Sequence, residues 1–393
     1  MINVTKLLLE NTDYFGDRLR YNKSSYKTKN GVTKDKGPIV VWNCTRTCNL
    51  NCIHCYSDSE NKRYSGEMTT QEGKEFIDDL VAFKVPVLIF SGGEPLIRND
   101  FFELAEYASK KGIRTTVSTN GTLIDKEMAR DLKRLKIGYV GVSLDGIGEN
   151  NDHFRGQNGA FDSALKGIRN CLSNDQKVGL RVTINKHNYK ELPELFKLIE
   201  EEDIPRICFY HLVYSGRGSE ILDQDISHEE TREVMDMIMD YTQYFEKKNK
   251  RKEILMVDNH ADGIYMYLKM LQKDPKKAER ILELLKYNGG NRSGIAISSV
   301  DSEGNVHPDQ FTQNHTFGNV REKPFGEIWR DTTQNRVLKG LKDRKSLLKG
   351  RCSKCKWLDA CNGNFRKRAE ALYEDFWASD PACYLTDDEI GIN

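Results

Sequence analysis

The chain has 393 residues, 38% of them hydrophobic and 30% charged, enough for one large domain and an appendage. Its 60 Lys and Arg residues balance 59 Asp and Glu residues, and a net charge of +1 argues against a general nucleic-acid binder. No apolar run approaches the roughly 18 residues of a membrane span, and residues 1–15 lack the pattern of a signal peptide. We therefore predict a cytoplasmic protein that binds neither nucleic acid nor membrane.

The first two hundred residues after position 38 alternate between predicted strands and helices. Apolar strand-type runs are expected at 38–43, 85–90, 114–120, 138–146, 177–185 and 206–213. Helical patterns, in which apolar residues recur every three or four positions, are clearest at 69–83, 98–112 and 188–203. Continuous apolar strands that alternate with helices predict a parallel sheet covered by helices. Polar residues at the strand ends favour an α/β fold with a partial (β/α)6 barrel of the TIM type, which gathers those ends around one axis.

The alternation is predicted to stop near residue 250. The basic run Lys247–Lys252 is expected to be a solvated linker. After it we expect a strand at 253–259, two helices within 261–286 and a hairpin that turns at 302–305. We therefore predict an N-terminal extension, a barrel and a smaller α+β domain, spanning 1–37, 38–250 and 251–393.

Ten cysteines occur, and the first cluster of them directly follows the first predicted strand. Cys48, Cys52 and Cys55 form a C-x3-C-x2-C pattern. Three thiolates on one tight loop suit three corners of a 4Fe–4S cube and leave one iron open to another molecule. Zinc would need a fourth ligand, and His54 is a poor one because it is wedged between two of the cysteines. Cys44 precedes this cluster and is expected to be structural.

The second cluster lies near the end of the chain. Cys352, Cys355, Cys361 and Cys383 give C-x2-C-x5-C-x21-C, and four thiolates imply a closed site. The spacing alone leaves both zinc and a 4Fe–4S cluster open. Cys171 and Cys208 stand alone within apolar patterns, so we expect them to be small buried side chains.

The first cluster, Tyr56 after it and the run Gly92-Gly93-Glu94-Pro95 after the second strand resemble the radical S-adenosylmethionine (SAM) superfamily over about 38–215. The resemblance implies that SAM chelates the open iron, and that its amino group meets the backbone of that glycine run. It also implies a pocket for the ribose and adenine built from strand-end residues. The implied cofactor-binding residues are Tyr56, Gly92, Gly93, Glu94, Ser118, Asn120, Ser143, Asp145 and Asn185. Capping and turn formation remain the ordinary alternative for the last three.

The late cysteines, behind such a barrel, resemble the twitch and SPASM extensions that hold auxiliary 4Fe–4S clusters. The full SPASM pattern places further cysteines near 289–315. This chain has Gly-Gly-Asn-Arg at 289–292 and His-Pro-Asp at 307–309 instead. The resemblance therefore implies one auxiliary cluster, held by the four late cysteines, and two 4Fe–4S clusters in all.

Several phrases resemble the tetrapyrrole-modifying branch of the superfamily: CFYHLVYSGRGSE, VDNHADG, GNVHPDQF and the tail from Cys352. This resemblance implies an enzyme of haem biosynthesis that converts the two acetate side chains of 12,18-didecarboxysiroheme to methyl groups, giving Fe-coproporphyrin III. It also implies a low-potential electron donor such as flavodoxin or ferredoxin. The alternatives are NirJ-type removal of propionates in haem d1 synthesis and radical maturation of a peptide.

A flat polyacid with an iron at its centre needs cationic, aromatic and imidazole contacts. Arginines at predicted loops or strand ends are Arg155, Arg181, Arg217, Arg292 and Arg321. Aromatic residues near the sixth strand are Phe209, Tyr210 and Tyr214. Possible axial ligands or proton donors are His211, His260, His307 and His315. A surface ion pair or a satisfied histidine is the ordinary alternative for each, and we select His211 and Arg217 as the expected catalytic contacts.

Overall fold

The computed structural model describes residues 1–10, 12–24 and 28–392, and its strands form one ten-stranded sheet. The strands are β1 (Ile2–Asn3), β2 (Ile39–Thr45), β3 (Val87–Gly92), β4 (Arg114–Thr119), β5 (Val140–Ser143), β6 (Val178–Ile184), β7 (Arg206–His211), β8 (Glu253–Val257), β9 (Ile297–Val300) and β10 (Val306–His307). The helices up to β8 are α1 (Val4–Leu8), α2 (Asp17–Arg20), α3 (Thr70–Ala82), α4 (Phe101–Lys110), α5 (Lys126–Arg134), α6 (Glu149–Arg155), α7 (Ala160–Leu172), α8 (Leu192–Glu201) and α9 (His228–Lys247). Those after it are α10 (Ala261–Lys273), α11 (Pro275–Asn288), α12 (Phe325–Arg330), α13 (Arg336–Lys342), α14 (Gly350–Lys354), α15 (Leu358–Cys361), α16 (Arg366–Tyr373) and α17 (Asp387–Ile390).

The strand order is β1-β8-β7-β6-β5-β4-β3-β2-β9-β10. The six strands from β2 to β7 are parallel to their neighbours, which confirms the predicted parallel sheet. β1 and β10 lie at opposite ends of the order, so the barrel is partial rather than closed. Because the six strands run in one direction, their carboxyl ends meet at one edge, where the candidate site lies.

The helices cover the outside of this sheet through amphipathic faces. For example, α3 begins at a capping box in which Thr69 and Glu72 satisfy each other's backbone N–H groups, and it buries Phe76. Trp42 of β2 meets Phe76 edge-on, with 5.4 Å between ring centroids, and Phe90 of β3 at 5.6 Å. The helix-covered core therefore packs directly against the two strands that carry the cluster loop and the glycine run.

The predicted linker at Lys247–Lys252 is not a break in the fold. Lys252 is 4% exposed and forms an ion pair with Asp203. The strand after it, β8, pairs in parallel with β7 and extends the barrel by one more strand. The division at residue 250 stays a prediction, and strands from both sides of it share the sheet.

Strands from the predicted N-terminal extension and from the predicted C-terminal domain join the same sheet. β1 pairs antiparallel with β8, so the first residues cover one end of the barrel. β9 pairs in parallel with β2 at the other edge and forms the predicted hairpin with β10. Among the described residues, no helix combines the length and the apolarity that a membrane crossing requires.

The three isolated cysteines are buried and do not line the cysteine pocket. Cys44 is fully buried in β2, and burial raises the pKa of its thiol to about 12. Cys171 is fully buried in α7. Cys208 is 2% exposed and lies on the inner face of β7. These positions fit the expected role of small buried side chains.

Candidate functional site

A pocket of about 140 Å³ lies at the carboxyl ends of the central strands. Most of the predicted site residues line it. They are Cys48, Cys52, Cys55, Tyr56, Gly92, Gly93, Ser118, Asn120, Ser143 and His211. The strand-end residues come together because parallel strands present their carboxyl ends to one edge of the sheet.

The first three cysteines line this pocket side by side. Cys48 and Cys52 are buried, whereas Cys55 is half-buried. The Leu50 backbone N–H donates to Cys48 Sγ at 3.4 Å, and Arg155 Nη1 donates to Cys52 Sγ at 3.6 Å. Burial, together with the nearby Glu94 carboxylate and the two neighbouring thiols, raises the pKa of Cys48 to about 12. Three adjacent thiols that line one open space, two of them with N–H donors, fit an iron–sulfur cluster.

The glycine run approaches the cluster loop closely. Gly92 has φ +127°, a value that favours glycine, and a Cβ there would lie 2.2 Å from the Thr45 carbonyl oxygen. A Cβ on Gly93 would lie 2.2 Å from the Thr47 carbonyl oxygen. The Gly93 N–H donates to the Thr45 carbonyl at 2.8 Å. Only glycine therefore allows this backbone to form the pocket floor.

Glu94 is fully buried and does not line the pocket. Its carboxylate accepts hydrogen bonds from the Asn120 N–H at 2.7 Å, the Thr119 hydroxyl at 2.7 Å and the Leu96 N–H at 3.1 Å. Burial raises its pKa to about 7 against the effect of these bonds. Glu94 therefore joins the ends of β3 and β4, and its contribution to the pocket is the position of Asn120.

Asp145 and Asn185 also point to other partners. Asp145 is 1% exposed, forms an ion pair with Arg155 and accepts from the Thr183 N–H at 2.5 Å. The Asn185 amide donates to the Thr183 carbonyl at 2.9 Å and accepts from the His187 N–H at 2.8 Å. Asn185 thus forms a turn, and Asp145 holds the arginine that donates to Cys52.

His54 stacks on Phe154, with 4.3 Å between ring centroids, and its Nε2 lies 3.5 Å from Asp145 Oδ2. Burial lowers the pKa of this imidazole to about 4. The imidazole is thus held between an aromatic ring and a carboxylate at the pocket wall.

Arg217 lies against the cluster loop rather than in the pocket. Its Nε donates to the Cys52 carbonyl at 2.8 Å, its Nη2 donates to the Ser59 carbonyl at 3.2 Å, and its backbone N–H donates to the Cys55 carbonyl at 3.0 Å. A guanidinium that donates to several carbonyls holds a loop in one conformation. Arg217 was expected in the substrate site, whereas its side chain holds the cluster loop in place.

We expect Arg217→Ala to lower the iron retained at the first cysteine cluster while leaving tetrapyrrole affinity near the wild-type value. The loop carbonyls lose their charged donor, so the three thiols are no longer held together. Iron content per chain and a binding titration by absorbance measure the two quantities. Wild-type iron content with weakened tetrapyrrole binding would instead support the original placement in the substrate site.

His211, at the end of β7, lines the pocket and is 5% exposed. Its Nε2 lies 2.9 Å from Asp262 Oδ2, and the Tyr384 hydroxyl donates to Asp262 Oδ1 at 2.9 Å. Tyr384 follows Cys383 in the chain, so hydrogen bonds connect the pocket to the backbone beside the second cysteine cluster. Asp262 and Tyr384 were not selected from the sequence, although both lie in segments quoted above, because no local pattern shows that they pair with each other or with His211.

A larger cavity of about 560 Å³ occupies the inside of the barrel and adjoins the first pocket. Residues common to both walls are Ser91, Ser118, Arg181, Tyr210, Asp258 and Phe311. Arg181 donates to Ser118 Oγ at 2.9 Å, and its guanidinium lies 4.7 Å from the Tyr210 ring centroid. Arg114, Arg206 and Arg292 also line this cavity. A volume of this size is typical of small-molecule sites.

The other candidate histidines and arginines have structural partners. His307 Nε2 lies 3.1 Å from Asp301, and His315 Nε2 lies 2.6 Å from Glu370. Arg321 is exposed and pairs with Glu72 at 2.7 Å. Arg292 donates to the Gly31 carbonyl at 2.9 Å, and burial lowers its pKa to about 10. Of the aromatic residues, Tyr210 lines both cavities, whereas Phe209 is packed in the core and Tyr214 donates to Asp225 at 2.7 Å.

The four late cysteines are close to one another. Burial raises the pKa of the Cys361 thiol, and the nearby thiols of Cys383, Cys352 and Cys355 act in the same direction. The Trp357 N–H donates to Cys355 Sγ at 3.4 Å. Four thiols this close to one another, one of them with an N–H donor, fit the thiolate ligands of an iron–sulfur cluster.

Two family models match the chain: one described as the Radical SAM superfamily at residues 42–199, and one as an iron–sulfur cluster-binding SPASM domain at 296–356. The chain is 53% identical to "Fe-coproporphyrin III synthase" of Methanosarcina barkeri, over 100% of this chain and 99% of that protein. It is 42% identical to "Pre-heme d1 synthase" of Dinoroseobacter shibae, over 90% and 88%. The peptide-bound crystal structure of Streptococcus suis SuiB aligns with TM-score 0.71 at 18% identity, over 89% of this chain and 76% of that one, which shows a common fold.

Proposed function

Because the chain belongs to the radical SAM superfamily, we propose that it removes the two acetate side chains of 12,18-didecarboxysiroheme, leaving methyl groups and giving Fe-coproporphyrin III. The observation that carries this proposal is the 53% identity, along the whole chain, to a protein with the name Fe-coproporphyrin III synthase. The adjoining cavity of about 560 Å³ supports it with room beside the cysteine pocket.

The cofactors would be held by residues that line the first pocket. Cys48, Cys52 and Cys55 would hold the 4Fe–4S cluster that, with SAM, supplies a 5′-deoxyadenosyl radical. The backbone at Gly92 and Gly93, with Tyr56, Ser118, Asn120 and Ser143, would surround SAM. The four late cysteines would hold the auxiliary cluster that the SPASM domain implies. A low-potential donor such as flavodoxin or ferredoxin would supply the electrons.

The larger cavity would hold the macrocycle. Carboxylates bind best to guanidinium groups in a fork geometry, and Arg181 stands at the wall that both cavities share. Arg114 and Arg206 line the same cavity at the amino ends of β4 and β7, and they would meet the propionate carboxylates. Tyr210 and Phe311 offer aromatic faces beside the ring.

His211 would act as the acid. Because 5′-deoxyadenosine would leave with one hydrogen of the methylene, the net change at each side chain is R–CH2–COO⁻ + SAM⁺ + 2 e⁻ + 2 H⁺ → R–CH3 + CO2 + methionine + 5′-deoxyadenosine. Each new methyl group therefore requires two protons, and the low-potential donor would supply the two electrons. His211 lines the pocket, and Asp262 orients its imidazole from 2.9 Å. A histidine that a buried carboxylate orients is a common arrangement for a general acid.

The test is anaerobic incubation of the reduced holoenzyme with SAM and 12,18-didecarboxysiroheme, followed by mass spectrometry. We expect 5′-deoxyadenosine and Fe-coproporphyrin III, with both acetates lost. His211→Asn should still cleave SAM but form the tetrapyrrole product more slowly, because only the proton donor is removed.

Loss of propionates instead of acetates would favour the alternative in haem d1 synthesis, which the 42% identity to a pre-heme d1 synthase supports. If wild-type protein leaves the tetrapyrrole unchanged while cleaving SAM, the tetrapyrrole proposal is wrong, and peptide maturation becomes the better hypothesis.

A further inference from the structure

One histidine in the barrel cavity differs from the other buried histidines. His260 immediately precedes α10, is 4% exposed and lines the larger cavity. Asp258, two residues before His260, lines both the larger cavity and the first pocket. The cavity wall that includes His260 is therefore continuous with the pocket that the cysteine loop lines. A ligand bound at His260 would therefore lie within the space that opens onto the SAM pocket.

The imidazole of His260 has no hydrogen-bond partner among the described residues. The contact made by this residue is through its backbone N–H, which donates to Asn364 Oδ1 at 2.7 Å. Neither ring nitrogen is fully enclosed by protein. Because the residue lines the larger cavity, the ring nitrogens face open space there. By contrast, His211, His307 and His315 each meet a carboxylate within 3.1 Å.

The charge state of this imidazole suits a metal ligand. Burial lowers the pKa of His260 well below 6.5, and the positive charges of the Met1 amino group, Arg368 and Arg344 act in the same direction. The ring is therefore neutral at physiological pH, with a lone pair on one nitrogen. A neutral imidazole is the form that binds metals and the usual axial ligand of an iron macrocycle.

The backbone around His260 is held rigidly. Asn259 Oδ1 accepts from the Ala261 N–H at 3.1 Å and from Asn364 Nδ2 at 2.7 Å, and Asn259 Nδ2 donates to the Ala382 carbonyl at 2.8 Å. An unpartnered ring on a fixed backbone is positioned in advance for a ligand. The cavity around it also has aromatic walls, where Phe311 and Phe365 meet edge-on with 5.6 Å between centroids.

We propose that His260 binds the central iron of the tetrapyrrole substrate as its axial ligand and so sets the position of the macrocycle in the barrel cavity. This inference rests on the proposed function, since it requires an iron tetrapyrrole in that cavity. It separates His260 from His211, which would meet a side chain at the rim of the macrocycle rather than the iron.

The test uses two probes that differ only in the metal: ferric iron-coproporphyrin III and metal-free coproporphyrin III. Each is titrated into the reconstituted holoenzyme, and the iron form is also examined by absorbance and electron paramagnetic resonance. His260→Ala should weaken binding of the iron form at least about tenfold, since even outer partners of a metal ligand contribute roughly 10–100-fold. The metal-free form should bind equally to wild type and variant.

The spectra distinguish a bond to iron from packing. We expect a nitrogen-ligated ferric signal in wild type, its loss in His260→Ala and its return on addition of free imidazole. His187→Ala, which changes an exposed histidine, is the matched control and should behave as wild type. Equal binding of both probes by His260→Ala and wild type, with the same ferric spectrum, would overturn the inference alone. Failure of wild type to bind either probe would overturn the proposed substrate class together with it.

Discussion

Replacing Cys48, Cys52 and Cys55 together by alanine is expected to abolish SAM cleavage and to halve the iron, from about eight to about four per chain. The three thiols line one pocket with Gly92 and Gly93, so no other described cysteine can replace them there. The four late cysteines remain intact in this variant and should keep their cluster. Iron analysis and chromatography of 5′-deoxyadenosine after anaerobic reconstitution measure both effects.

Cys44→Ala is the matched control for the triple variant. Cys44 is fully buried four residues before the loop, packs in the core and does not line the pocket. We expect its iron content and SAM cleavage to equal those of wild type. Retention of about eight irons by the triple variant, or stoichiometric zinc at the late cysteines of active protein, would contradict the assignment of two clusters.

Arg368→Met is expected to lower the free energy of unfolding by about 3–5 kcal/mol, because it leaves the buried Asp380 without its counter-charge. Both side chains are fully buried, and Arg368 Nη2 lies 2.7 Å from Asp380 Oδ2. The same guanidinium donates to the Leu212 carbonyl after β7 and to the Asp258 carbonyl after β8. The pair therefore fastens α16 to the barrel beside the larger cavity. Denaturant unfolding of the reconstituted variant and wild type measures the loss.

Two variants isolate the buried charge as the cause. Arg368→Met combined with Asp380→Asn should recover part of the loss, since the uncompensated carboxylate is gone. Arg18→Met removes an exposed pair, in which both Arg18 and Asp13 have 70% of the side chain exposed, and should leave the free energy of unfolding almost unchanged. Equal stability of Arg368→Met and Arg18→Met would mean that the buried pair does not hold the C-terminal segment to the barrel.

Patterns local in the chain predicted the barrel, because strand and helix periodicity come from neighbouring residues. The six predicted strands appear as β2–β7 in parallel order. The first cysteine cluster and the glycine run could likewise be predicted from the sequence. The three cysteines lie within eight consecutive residues, and the turn needs two adjacent residues without a Cβ atom. The pairing of β8 with β7 could not be predicted from the sequence. β8 follows the long helix α9 and a basic run, and this pattern resembles the start of a new domain.

Side-chain roles depended on partners far along the chain. Arg217 was expected to bind substrate, yet it holds the carbonyl of Cys52, which lies 165 positions earlier. Glu94 was expected in the SAM pocket, yet its carboxylate turns to Asn120 on the next strand. Sequence identifies such residues as polar groups at loops, but the direction of each side chain is set by packing between distant segments.

The sequence by itself indicated the cofactors through its resemblance to the radical SAM superfamily, because the clustered thiols and the glycine turn that carry this resemblance are formed by adjacent residues. It also determined the alternation that builds the parallel sheet. Only the tertiary structure decided which histidine faces the barrel cavity without a partner and which one Asp262 orients. Asp262 bonds to His211, which lies 51 positions away, and to Tyr384, which lies 122 positions away, whereas no described residue bonds to the His260 ring. Pairing between such distant residues has no local pattern in the chain.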